Sequence, residues 1–242
     1  MTSKILLRTC LIGGILLCLL ATLASVKAYP AILTPLDESI VFLVLLGVTS
    51  LGYILFAVLT TRSRMPDVAV AARRGLQWGA LTGMFWLIEV LAGNLGDIHQ
   101  TWVMVAYFGG EYIAYGLPLI AALFGARSTG RVTTGIVSGL WSGMVGAIIT
   151  FLGLMALTSL FMGVMQVRPD NIAEFHRSNA PNIMTFLIGD ALAGGINHLL
   201  LIGTLFSGIL GVIGGFAGKA LASPERNNRR TSLATGGAGS KA

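Results

Sequence analysis

The sequence predicts an all-α integral membrane protein, a bundle of about six transmembrane helices, and three observations carry that prediction. Hydrophobic residues make up 55% of the chain and charged residues only 11%, less than half of the roughly one-quarter that a water-facing surface needs. Apolar runs close to the roughly 20 residues that cross a bilayer recur along the whole chain. No connection between them is long enough for a folded domain, so residues 1–222 read as one polytopic domain. This composition excludes an ordinary soluble enzyme and a disordered chain. It also excludes a nucleic-acid binder despite the net charge of +6, because the excess sits in short segments beside apolar runs and not on a folded basic face.

The first apolar stretch, 9–26, follows a basic start with Lys4 and Arg8. It has two readings. Val26-Lys27-Ala28 ends on a small residue, as a signal-peptide cleavage site does, yet the stretch is long for a signal peptide. A first span is preferred; cleavage would leave five spans with every later loop on the same side. Cys10 and Cys18 lie in this segment with no spacing that suggests a zinc site. The second span, 38–60, is uncharged from Ile40 to Leu59. Spans at 75–93, 102–125 and 133–163 follow, the last long enough to tilt.

The final apolar stretch, 183–218, would measure about 54 Å if straight at about 1.5 Å per residue. That is too long for one upright span, and two spans would export the Arg-rich tail. A break at Gly194–Gly195 resolves the conflict: a short broken or re-entrant segment near 183–196, then a full span near 197–219. Asp170 and the residues after it predict a short surface helix between spans five and six. The tail, 223–242, is rich in Gly, Ser and Arg and reads as disordered.

Charge sets the expected orientation. Thirteen of the 16 basic residues fall on one side of a six-span arrangement, and only Lys27, Arg168 and Arg177 on the other. The positive-inside rule then places both termini in the cytoplasm, in what reads as a bacterial plasma membrane.

Glycine spacing predicts close helix packing. Gly75, Gly79 and Gly83 recur sixty residues on as Gly135, Gly139 and Gly143, and Gly208, Gly211 and Gly215 stripe the last span. Small residues at this spacing let helix backbones approach. Chance spacing in a chain with 32 glycines rivals a true two-helix repeat as the origin of the offset.

Acids within spans are the informative residues, since an intramembrane carboxylate is costly to insert and usually faces the bundle interior. Glu89 shares its helix face with Gly75, Gly79, Thr82 and Trp86. Glu111 has Tyr107 and Tyr115 four residues to either side, so both hydroxyls are expected to reach it. Spans three and four are antiparallel neighbours, so the two carboxyls can approach and share a proton. Asp190, with Asn197 and His198, completes the candidate intramembrane polar site, although a break at Gly194 would separate them. Structural roles compete for each: a solvated or capping Asp190, a hydrogen-bonded helix-contact His198.

No catalytic motif is present: neither G-x-S-x-G nor HExxH nor a phosphate-binding glycine loop occurs. No metal or cofactor is expected, and an enzymatic function is disfavoured. The expected partners are the lipid bilayer and either a second copy or another membrane protein. The favoured function is a small permease or channel-like protein for protons, cations or a small solute. The alternatives are a non-catalytic accessory or assembly subunit packing through its glycine faces and, third, an intramembrane lipid-modifying enzyme, which lacks the clustered acid/base residues it would need.

Overall fold

The computed structural model describes residues 3–33, 36–62, 67–97 and 99–222. The expected disordered tail, with Arg226, Arg229, Arg230 and Lys241, lies outside the described residues, as does Arg64. The described chain is helical throughout: α1 (Ser3–Ala28), a 3-10 turn (Pro30–Leu33), α2 (Leu36–Arg62), α3 (Val68–Leu95), α4 (Thr101–Thr129), α5 (Val132–Met165), α6 (Pro169–Arg177), α7 (Ile183–Asn197), a π-helical stretch (His198–Phe206) and α8 (Ser207–Ala220). Among the described residues five helical runs are long and apolar enough to cross a membrane: α1, residues 41–62 of α2, α4, α5 and the continuous run Ile183–Ala220. The 28-residue α3 is as long, but Arg73, Arg74, Gln77 and Glu89 make it less apolar.

What lies outside this bundle fits a hydrocarbon solvent. Leu17, Leu20 and Leu23 of α1, Val48 and Leu59 of α2, and Ile213 and Phe216 of α8 are all exposed, faces that water would penalise and lipid accepts. Inside, several serine and threonine hydroxyls donate to carbonyls one turn back, as Thr22 does to Cys18 at 2.9 Å and Thr150 to Gly146 at 2.9 Å. That satisfies them without water.

Short signals set the ends. Gly130 stops α4 in the left-handed region at φ 70°, where a side chain would be strained. α5 can therefore start two residues later. Pro169 opens α6 at its first turn, and the Asn182 side chain accepts from the Thr185 N–H at 2.9 Å to cap α7.

α5 is the axis, with α3, α4, α7, α8 and α1 packed around it. Its Trp141 and Phe151 are fully buried. Glycines set how closely its neighbours come. A Cβ on Gly75, Gly79 or Gly83 would lie 2.5–2.7 Å from Trp141, Val145 or Ile149 of the parallel α5. The Thr82 and Ser142 hydroxyls meet at 3.3 Å in the same seam. On another face of α5, Gly135 and Gly139 abut Gly215 and Gly211 of α8, and Gly143 abuts Ser207. Gly208 makes only ordinary contact with Leu140.

The ends of the bundle differ in charge. Ser3 bonds to Ala69, Asp67 pairs with Arg131 at 3.1 Å, Arg74 lies over the Phe124 ring and Gly218 packs on Leu123. These contacts gather Arg73, Arg74, Arg127, Arg131 and Lys219 at one end. At the other, Arg168 donates to the Gly96 carbonyl at 3.0 Å.

The last run corrects one expectation. No break occurs at Gly194–Gly195; both residues are helical, and Gly195 is held against the Phe151 ring. The irregularity comes later, as the π-helical stretch, whose wider turn strains the usual carbonyl pairing. Three hydroxyls meet that demand. Tyr53 of α2 and Thr204 both donate to the Leu199 carbonyl, at 2.8 and 3.0 Å, and Ser207 donates to Ile202 at 2.8 Å.

Candidate intramembrane polar site

α3 and α4 run antiparallel with little between them, and Gly110 is the reason. A Cβ there would lie 2.9 Å from the Phe85 carbonyl and 3.3 Å from the Glu89 Cβ. With only hydrogen in that place, the α4 backbone rests on α3, which carries the neighbouring Glu111 to within electrostatic reach of Glu89. One turn nearer the start of α4, the Tyr107 ring lies against Gly93 and its hydroxyl pairs with the Glu89 carboxyl. Tyr107 thus serves the acid across the helix pair; the spacing along α4 had pointed to Glu111 instead. Tyr115 turns to Trp86, edge to face at 4.9 Å between centroids.

The π-helical stretch closes this layer from the third side. The His198 ring stands perpendicular to Trp86, 4.8 Å between centroids, and Phe206 meets Tyr115 at 5.6 Å. His198 Nδ1 lies 2.8 Å from the Gly194 carbonyl. A carbonyl can only accept, so Nδ1 carries the proton, and in the neutral ring Nε2 then presents a bare lone pair. Nε2 is buried and has no hydrogen-bond partner among the described residues; neither has the buried Nε1–H of Trp86. Glu89, Glu111, Tyr107, Tyr115 and His198 are all partly exposed, and Asn197 beside them is exposed. α4 packs along α8 but hardly touches α7, so these polar groups border a side of the bundle where α4 and α7 part.

Neither glutamate has an ion pair among the described residues. Besides Asp67–Arg131, the ion pair found there is Arg168 with Asp170 at 3.9 Å, at the start of α6. Among the described residues no three His, Cys, Asp or Glu side chains are placed to hold a metal ion.

Asp190 stands apart from this layer. It is exposed and borders a separate cavity with Arg177 and Asn179, between α1, α2 and α7. Eight helical residues separate it from His198, a rotation of about 80°, so when His198 faces α3 the Asp190 carboxyl lies to the side, along the separate cavity. Trp86, Gly110 and Phe206 belong to the layer too, although none is ionisable. The sequence places Trp86 on the Glu89 face, one turn before it. The contact of Gly110 with α3 depends on a register that spacing along one helix does not reveal.

No known protein family, curated protein or solved structure matches this chain.

Proposed function

We propose that the protein is a small permease or channel-like protein that passes protons or cations, with Glu89, Glu111, Tyr107 and His198 as the groups that handle them. The observation that carries this reading is the approach of two carboxyls, Glu89 and Glu111, with no ion pair to neutralise either among the described residues. A bundle built only for packing gains nothing from such a pair, which is costly to insert. Two close carboxyls can hold one proton between them. The Tyr107 hydroxyl can pass a proton to Glu89, and the bare Nε2 of His198 can accept one.

In this reading α3 is a sixth span, and α7 continues through the π-helical stretch into α8 as one long, tilted span. The basic end faces the cytoplasm of a bacterial plasma membrane, which brings both termini to that side. A second reading, an accessory subunit that packs against another membrane protein or a second copy, has one observation in its favour. Gly47 and Gly52 of α2 face open space, whereas Gly75, Gly79 and Gly83 of α3, Gly135, Gly139 and Gly143 of α5 and Gly211 and Gly215 of α8 lie against neighbouring helices.

Reconstitution separates the two. The purified chain alone in liposomes is expected to dissipate an imposed proton or cation gradient. Liposomes that hold their gradient with the protein inserted would favour the accessory reading.

A further inference from the structure

A cavity of about 410 Å³ lies where α1, α2 and α7 diverge, and none of its described lining residues comes from α3 or α4. Its size falls in the range of small-molecule sites, about 300–1,000 Å³. It exists because α2 leans on α1 and touches α7 only sparsely. Val26, Phe42 and Ile196 form apolar walls, and Arg177, Asn179 and Asp190 bring polar groups to the same space.

Two charges meet there, Arg177 and Asp190. Arg177 donates its Nε–H to the Ala173 carbonyl of its own helix at 3.3 Å, which leaves the rest of its fork of donors. Neither Arg177 nor Asp190 is in an ion pair among the described residues. The charged neighbour that acts on Asp190 is Glu174 of α6, a second acid. A lone negative ligand would suit Arg177 and be repelled by Asp190 and Glu174; a lone cation would meet the reverse problem. A molecule with an ammonium beside an anionic group suits both, and the apolar walls suit a hydrocarbon chain. α1 and α2 also carry the exposed leucine and valine faces that a bilayer covers, so such a molecule is at hand in the membrane itself.

We propose that this cavity binds an aminophospholipid, its ammonium on Asp190 and its phosphate on Arg177 with Asn179, its chain along the walls of α1 and α2. The site is independent of the glutamate layer and stands whether or not the protein conducts ions.

Native mass spectrometry of the full chain, released from nanodiscs of equal phosphatidylethanolamine and phosphatidylglycerol, tests it. The wild type is expected to retain phosphatidylethanolamine about tenfold over phosphatidylglycerol, the discrimination one charge-assisted hydrogen bond provides. Asp190→Asn should abolish that preference, and Arg177→Gln, which removes the phosphate contact that both lipids share, should lower retention of both alike. Equal retention of the two lipids by the wild type, an Asp190→Asn variant that keeps its preference, or an Arg177→Gln variant that retains lipid at the wild-type level would overturn the proposal. Arg177 lies on the exposed α6, so lipid retention by Arg177→Gln decides the matter even if Asp190→Asn fails to fold.

Discussion

The imidazole of His198 meets the indole of Trp86 edge to face, rings at 89° and 4.8 Å apart, and each keeps one buried nitrogen without a hydrogen-bond partner among the described residues. A buried polar group in that condition costs about 1–3 kcal/mol. The arrangement persists because His198 Nδ1 is tied to Gly194 and because the π-helical stretch turns the ring toward α3. The first prediction follows from the tautomer. Nitrogen-15 NMR of histidine-labelled protein, assigned with His198→Gln, should place the proton on Nδ1. A proton on Nε2 alone would remove the acceptor on which the role of His198 rests.

Tyr53 reaches from α2 to the Leu199 carbonyl at 2.8 Å and is the tie between α2 and the π-helical stretch. Tyr53→Phe keeps the ring and loses the bond. Thermal unfolding in detergent should report a loss of about 1 kcal/mol. An unchanged transition would mean that the Thr204 hydroxyl, which donates to the same carbonyl, suffices alone.

Two glycines separate packing from mere composition. A Cβ on Gly79 would sit 2.7 Å from Val145 and 2.9 Å from the Ser142 carbonyl, whereas one on Gly52 meets nothing within 4 Å. Gly79→Ala should destabilise by about 1–3 kcal/mol, the usual penalty of overpacking, and Gly52→Ala should leave the transition in place or raise it slightly. Equal responses would place the α3–α5 seam elsewhere.

The helices were legible in the sequence because length and apolarity are one-dimensional properties, and the recurrence of Gly75, Gly79 and Gly83 every four residues is visible there too. The π-helical stretch was not. Nothing between His198 and Phe206 breaks a helix, and the widening is supported by Tyr53, distant by 146 positions. The glycine pair at 194–195 drew attention as a weak point, yet glycine inside an apolar helix is also how a helix fits against a ring such as Phe151. Within the site, Glu89 and Glu111 could be paired from antiparallel adjacency, but Asp190 could not be excluded by spacing. Its orientation depends on α7 being wedged between two groups of helices.

Orientation has its own test. In a Cys10→Ser, Cys18→Ser background, Thr133→Cys at the basic end should react with a membrane-impermeant maleimide only from the cytoplasmic side. Asn179→Cys should react only from outside. Labelling of both from one side would contradict the placement of the two ends on opposite faces of the membrane.

The central claim is that Glu89 and Glu111 act together on the transported ion, and flux through reconstituted protein tests it most directly. Proton and cation flux into liposomes should fall about 100-fold or more, the scale of losing a positioned proton-transfer group, in Glu89→Gln and in Glu111→Gln. The double variant should be no worse than either single one, since both act as one unit. Wild-type flux in folded, correctly inserted Glu89→Gln and Glu111→Gln protein would contradict the account.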